Sequence, residues 1–307
     1  MNRTLSEYND LRLLTPPKEE EEIYPYRRVW RSIIIESSIF LGLMLSLYLL
    51  WQLFGVRLPD TARFPVNILL AVTPALLWVM ISWLPEKFAV SPRPRLFTVF
   101  IVSALVANAV AIPILNTIFQ LDTWLPQQGT INRILGHMLT VGILQEFLKY
   151  LVVRYIAYPQ HYRVRADSVA YCVASAIGYA TVFSLSYVVT TPMATADAVI
   201  LRVFGITAMN IAGSVVIAYG LSETWFSDAL AFLLPAMLLF ASLVVGLSMT
   251  MRTEFSKAAL GLTISEQRTI FGMAVAIVLY AGPMAVMLFL FNVSDQRERD
   301  RFAGEEI

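Results

Sequence analysis

Eight runs of mostly apolar residues divide this chain, at about 32–53, 64–84, 96–119, 134–157, 169–189, 199–221, 230–250 and 270–291. A helix that crosses a bilayer needs about 20 such residues. Hydrocarbon offers no water to the backbone, so a run of this length meets its hydrogen bonds within itself, as a helix. The expected fold is therefore all-α, a polytopic transmembrane helix bundle of about eight spans, with membrane lipids as its surroundings. Charge supports this. Only 15% of the residues are charged, against about 25% in soluble domains, and those charges gather between the apolar runs.

The expected organisation is a tail over 1–30, a helical domain over 31–292 and a second tail over 293–307. The first 25 residues are polar, with an acidic run at 19–22 and the pair Pro16-Pro17. They lack the basic start and apolar centre of a signal peptide, and their composition is that of a disordered tail. Basic residues in short loops set orientation. Arg27, Arg28 and Arg31 precede the first run, and Lys87, Arg93 and Arg95 follow the second. Arg163 and Arg165 follow the fourth, and Arg297, Arg299 and Arg301 follow the eighth. Alternation puts all four groups on one side, so both termini are expected to be cytoplasmic. Two connectors fit this less well. Residues 221–228 fall on the basic side without a positive charge, and 251–269, long enough for an interfacial helix, carries Arg252, Lys257 and Arg268 on the other.

Several classes are excluded. The lone Cys172 rules out an intramolecular disulfide and a four-cysteine zinc site. No Gly-x-x-x-x-Gly-Lys string is present, so there is no phosphate-cradling loop. The net charge of +1 argues neither way on nucleic acid, and no nucleic-acid partner is expected.

Ionisable side chains inside a span cost about 2.5–3.5 kcal/mol each on insertion scales, so each needs a reason. The fourth run is richest, with His137, Gln145, Glu146, Lys149 and Arg154. Glu146 and Lys149 are three apart and share a helix face, as do Gln145 and Lys149 at four apart. Such a pair can hold helices together, while Arg154 near the run's end can snorkel. The sixth run carries Arg202 and Asn210, and Asn210 can hydrogen-bond across helices. Asn108 and Asn116, around Pro113 in the third run, suit packing or a kink. Small residues at Ala170, Ala174 and Gly178, and at Gly205, Ala208, Ala212 and Gly213, allow close helix approach.

These residues carry a resemblance. Gln145-Glu146-Phe147-Leu148-Lys149 resembles the Glu-Glu-x-x-Lys motif of the PrsW family of intramembrane proteases. Asp167-Ser168-Val169-Ala170-Tyr171 is similar to that family's Asp-Gly-x-x-Tyr, and runs on to Gly178-Tyr179-Ala180 where the family has Gly-Phe-Ala. Arg202, Asn210 and Tyr219-Gly220 fall at the family's Arg, His and Tyr-Gly positions. The resemblance covers about 143–221, within a core of about 134–221. It implies a bacterial inner membrane, catalytic candidates Glu146 and Lys149, and a structural frame of Asp167, Tyr171, Gly178, Arg202 and Gly220.

The departures fall on the chemistry. Gln145 stands where the family has its first glutamate, Phe183 and Ser184 where it has Glu-Asn, and Asn210 where it has histidine. Hydrolysis in a membrane needs an activated water, supplied by a zinc with three protein ligands or by two carboxylates in different roles. Phenylalanine supplies neither. His137 lies nine residues before Glu146, on the opposite helix face, and His161 lies in a basic loop. The expectation is no bound metal and no cofactor, in a catalytically inactive relative that binds other transmembrane helices as an accessory subunit of a membrane complex. The alternative is an active protease that uses Glu146, with zinc if it is a metalloprotease.

Overall fold

A computed structural model describes residues 29–54, 59–89, 91–227, 230, 232–257 and 265–305. The expected tail over 1–30 lies almost wholly outside the described residues. Among the described residues there is no strand, and each apolar run forms a helix. We label them α1 (Val29–Phe54), α2 (Asp60–Trp78, continued through a π turn at Val79–Trp83 and Leu84–Lys87) and α3 (Leu96–Val106, continued through π turns at Ala107–Ala111 and Ile114–Phe119). Next come α4 (Thr130–His137, a π turn at Met138–Gly142, then Ile143–Ile156), α5 (Arg165–Thr190), α6 (Ala196–Phe226), α7 (Leu233–Lys257) and α8 (Ser265–Glu305).

Seven of these helices are long and apolar enough to cross a membrane. The exception is α4. Its polar residues Gln145, Glu146, Lys149 and Arg154 dilute the apolar run. It packs against α3, α5, α6 and α7, so the bundle rather than the lipid takes up its polar face. The expected second tail is helical, since α8 continues to Glu305. In the connector over 251–269 the described residues extend α7 to Lys257 and begin α8 at Ser265, so they add no separate interfacial helix.

The centre of the bundle is α6, with 89% of its most apolar segment buried. Its neighbours surround it: α5, α7 and α8 along most of its length, with α1, α2 and α4 beside them. A helix buried all round must be apolar or small all round, and Gly205, Ala208, Ala212 and Gly213 meet that demand. Pro113 lies between the two π turns of α3. A proline removes a ladder hydrogen bond, and Asn108 and Asn116 beside it are exposed.

The basic loops meet at one end of the bundle. Arg93 pairs through Nε with Asp167 Oδ1 at 2.7 Å and through Nη1 with Glu86 Oε2 at 3.0 Å, and all three side chains are buried. Asp167 Oδ2 also accepts the backbone N–H groups of Arg163 (2.7 Å) and Val164 (3.0 Å), which closes the start of α5. Arg165 pairs with Glu223 and, at 3.3 Å, with Asp295. Trp30 packs edge-on against Phe291, with ring centroids 5.5 Å apart. The loops after α2 and α4, the start of α1 and the described residues late in α8 therefore share an end. Segment 221–228 contributes an acid to this end instead, the Glu223 that pairs with Arg165.

Candidate functional site: a buried lysine between a carboxylate and an amide

Glu146 and Lys149 lie one turn apart on α4, just after its π turn, and both are buried. Irregular turns of this kind reorient the side chains that follow them. Lys149 Nζ donates to Glu146 Oε1 at 2.8 Å. It also donates to Asn210 Oδ1 at 3.0 Å and to the Asn210 backbone carbonyl at 3.3 Å, both on α6. The Asn210 amide nitrogen donates in turn to Ile206 O at 2.9 Å, which fixes which way the amide faces. The ammonium thus spends its donors on one charged and two neutral acceptors, and joins α4 to α6.

The seat for Glu146 comes from α6. A Cβ on Gly213 would stand 2.4 Å from Glu146 Oε1 and 2.8 Å from its carboxyl carbon, so only glycine leaves room. From α5, the Tyr179 ring lies 5.7 Å below Lys149 Nζ, and Phe183 stacks on Tyr179 at 5.2 Å. The wall is apolar on that side. Several polar side-chain atoms of α4 and α5 find no protein partner: Glu146 Oε2, Gln145 Oε1, the Tyr179 hydroxyl and Ser184 Oγ.

Sequence reasoning reached part of this site. The Glu146–Lys149 pair forms, and Asn210 does bond across helices. Gln145 shares a turn with Lys149, yet its carbonyl oxygen makes no hydrogen bond, because Asn210 takes the two remaining donors of the ammonium. The frame residues do separate jobs. Asp167 holds Arg93. The Tyr171 hydroxyl donates to Pro94 O at 2.8 Å, tying α5 to the 91–95 loop. Gly178 lets α5 approach α3, where a Cβ would stand 2.3 Å from Phe100 O. A Cβ on Gly220 would stand 3.2 Å from Leu234 and Met237 of α7. Arg202 is not brought to the pair: it is exposed, with its guanidinium 5.1 Å from the Tyr187 ring centroid. Arg154 lies over the Tyr158 ring at the end of α4.

Gly213, Ser214 and Tyr179 escape sequence reasoning at this site, since nothing in their spacing points to Glu146. Glu36 also escapes it. This buried acid of α1 accepts from Ser82 of α2, and a carboxylate inside an apolar run is itself the signal that marks it.

A zinc site needs histidine, thiolate or carboxylate donors converging on one point. Among the described residues no three His, Cys, Asp or Glu side chains could hold a metal ion together. Glu146 offers one carboxylate, and the position beside it is filled by an ammonium, which repels a cation. The donor set does not fit zinc.

A bundle of apolar helices around a buried polar pair is the architecture of a membrane-embedded protein. Residues 91–281 match the model of the PrsW family, described as an intramembrane metalloprotease family. The match covers more than half of the chain, and the chain belongs to this family. It extends well beyond the 143–221 segment that carries the recognisable motifs, taking in α3 and α7. No curated protein matches the chain, and no solved structure does.

Proposed function

We propose that this chain is a catalytically inactive member of the PrsW family that binds transmembrane helices as an accessory subunit of a membrane complex. The observation that carries the reading is the Lys149 ammonium held between Glu146 and Asn210. A water-activating site needs a base free to take a proton and a second group to stabilise the developing oxyanion. Here the carboxylate is already matched by a fixed cation of the same helix, and the partner on α6 is an amide. On α5, Phe183 and Ser184 take the place of the family's Glu-Asn. Helix packing explains the remaining groups, since Gly178, Gly220 and Asp167 shape helix contacts without chemistry of their own. We further propose a bacterial inner membrane, with the end that carries Arg93 and Arg165 facing the cytoplasm, as the positive-inside rule directs.

One observation favours a second reading. Glu146 Oε2 has no hydrogen-bond partner in the protein, so it could accept a proton from a water in an active protease, with Lys149 assisting. Two measurements decide between the readings. The full chain is purified from native membranes and its companions identified by mass spectrometry. It is also incubated with single-span helices, beside a Glu146→Gln control and a metal analysis. A companion membrane protein and no cleavage are expected. Cleavage by the wild type that the control lacks, or stoichiometric zinc, overturns the proposal.

A further inference from the structure

A second feature of the bundle does not rest on the proposal above. Between α1, α2, α5, α6 and α8 is a cavity of about 340 Å³. On α1 its lining runs from Trp30 to Leu41, and on α8 from Ile277 to Leu288. Each stretch rises about 16 Å along its helix. The space is long, and it runs parallel to the helices. The inner wall is apolar, built from residues such as Trp78, Ile177 and Phe204. On the outer side Ile34 is 53% exposed, and Ala281 and Ala285, both lining residues, are exposed as well. These helices are long enough to span a membrane, so the mouth opens toward hydrocarbon.

We propose that this cavity holds one acyl chain of a bilayer lipid. Three observations select that occupant. The volume is at the low end of small-ligand sites, about 300–1,000 Å³, which suits one chain and not an α-helix about 10–12 Å across. The polar lining is largely spent internally: Ser37 Oγ and the Tyr280 hydroxyl bond each other at 2.5 Å, and Ser82 donates to Glu36. A ligand there gains by apolar contact, not by hydrogen bonds. The mouth is kept open by two alanines on a helix whose neighbouring exposed residues, Val286 and Phe289, are large. A chain already in the bilayer enters sideways without leaving hydrocarbon, and fills a space that side chains leave unfilled.

The test uses the full chain reconstituted in vesicles of phosphatidylglycerol doped with a diazirine-tailed phosphatidylglycerol or, in a second arm, a diazirine-tailed fatty acid. After illumination, adducts are mapped by mass spectrometry. Adducts on inner-wall residues (Trp78, Phe204, Ile177) are expected in addition to those on lipid-facing Leu239 and Phe240 of α7. The arm that labels more strongly identifies the chain's source. Ala281→Trp should abolish the inner-wall adducts and spare those on α7. Ala285→Trp repeats the test if Ala281→Trp does not fold, and Val286→Trp, which is off the lining, should change nothing. Thr207→Val should also leave the adducts intact. Its hydroxyl lines the cavity without a protein partner, so loss on this change would mean a polar ligand and overturn the acyl reading. Absence of inner-wall adducts in both arms overturns it too, as does their persistence in both mouth variants. Adducts to a co-purified polypeptide would do the same and would place a partner protein there.

Discussion

Lys149 Nζ and Glu146 Oε1 lie 2.8 Å apart in a place where neither side chain meets solvent. Two charges in an apolar interior are tolerated because each neutralises the other, and because Asn210 takes a further donor of the ammonium. Removing one partner leaves the other buried and alone, which costs about 3–5 kcal/mol. Glu146→Gln and Lys149→Met should each destabilise the protein by about that much. The double variant Glu146→Leu/Lys149→Met should lose much less than their sum. Unfolding of the full chain in detergent measures all three, and additive losses would mean that the pair does not interact.

Gly213 supports the same carboxylate from the other helix. A methyl at this position would overlap Glu146 Oε1, and overpacking of this kind costs about 1–3 kcal/mol. Gly213→Ala should lower stability by that amount. Gly42→Ala, at a site with nothing within 4 Å of an added Cβ, should leave stability unchanged or raise it slightly. Side-by-side thermal melts separate the two outcomes.

Asn210 and Arg202 fall on family motif positions of one helix, and the structure gives them unequal weight. Asn210→Ala removes an acceptor from a buried ammonium, at a cost of about 1–3 kcal/mol. Arg202 is exposed near the start of α6, so Arg202→Leu should change stability by no more than about 0.5 kcal/mol. Equal losses for both would contradict the placement of Arg202.

At the basic end, Arg93 lies between two buried acids, Glu86 and Asp167. Arg93→Met takes a buried cation from both, and the expected loss is at least about 3 kcal/mol. Asp167 also closes the start of α5, so Asp167→Asn should expose the loop before α5 to limited proteolysis. An unchanged digestion pattern would count against that role.

His161 sits in the same region, outside the spans. Its imidazole is held below its ordinary value by partial burial first, and then by the Arg95 and Arg163 charges. The folded chain therefore takes up this proton at lower pH than the unfolded chain does. Between the two values the unfolded chain binds more protons, so stability contributed by this residue falls as pH drops through about 6.5 and levels off below the folded value. His161→Gln should flatten the stability profile between about pH 8 and about pH 5. A profile as steep as the wild type's would assign the slope to other groups.

The sequence by itself determined the class of fold and one ion pair. Apolar runs near the thickness of a bilayer leave the backbone no alternative to helix, and loop arginines predict which helix ends meet. A three-residue spacing places Glu146 beside Lys149 because both lie on a single helix, where spacing is geometry. The fourth run is the instructive case. It reads as a span by length, yet its polar residues Gln145, Glu146 and Lys149 turn into the bundle, where α3, α5, α6 and α7 pack against it. Tertiary structure alone decided what surrounds the pair. Asn210, Gly213 and Tyr179 come from other helices, separated from Glu146 by 33 residues or more in the chain. Which face of α6 turns toward α4 depends on how the whole bundle packs. Helix rotation is set by the sum of many contacts between helices, none of which is encoded in the spacing along one of them.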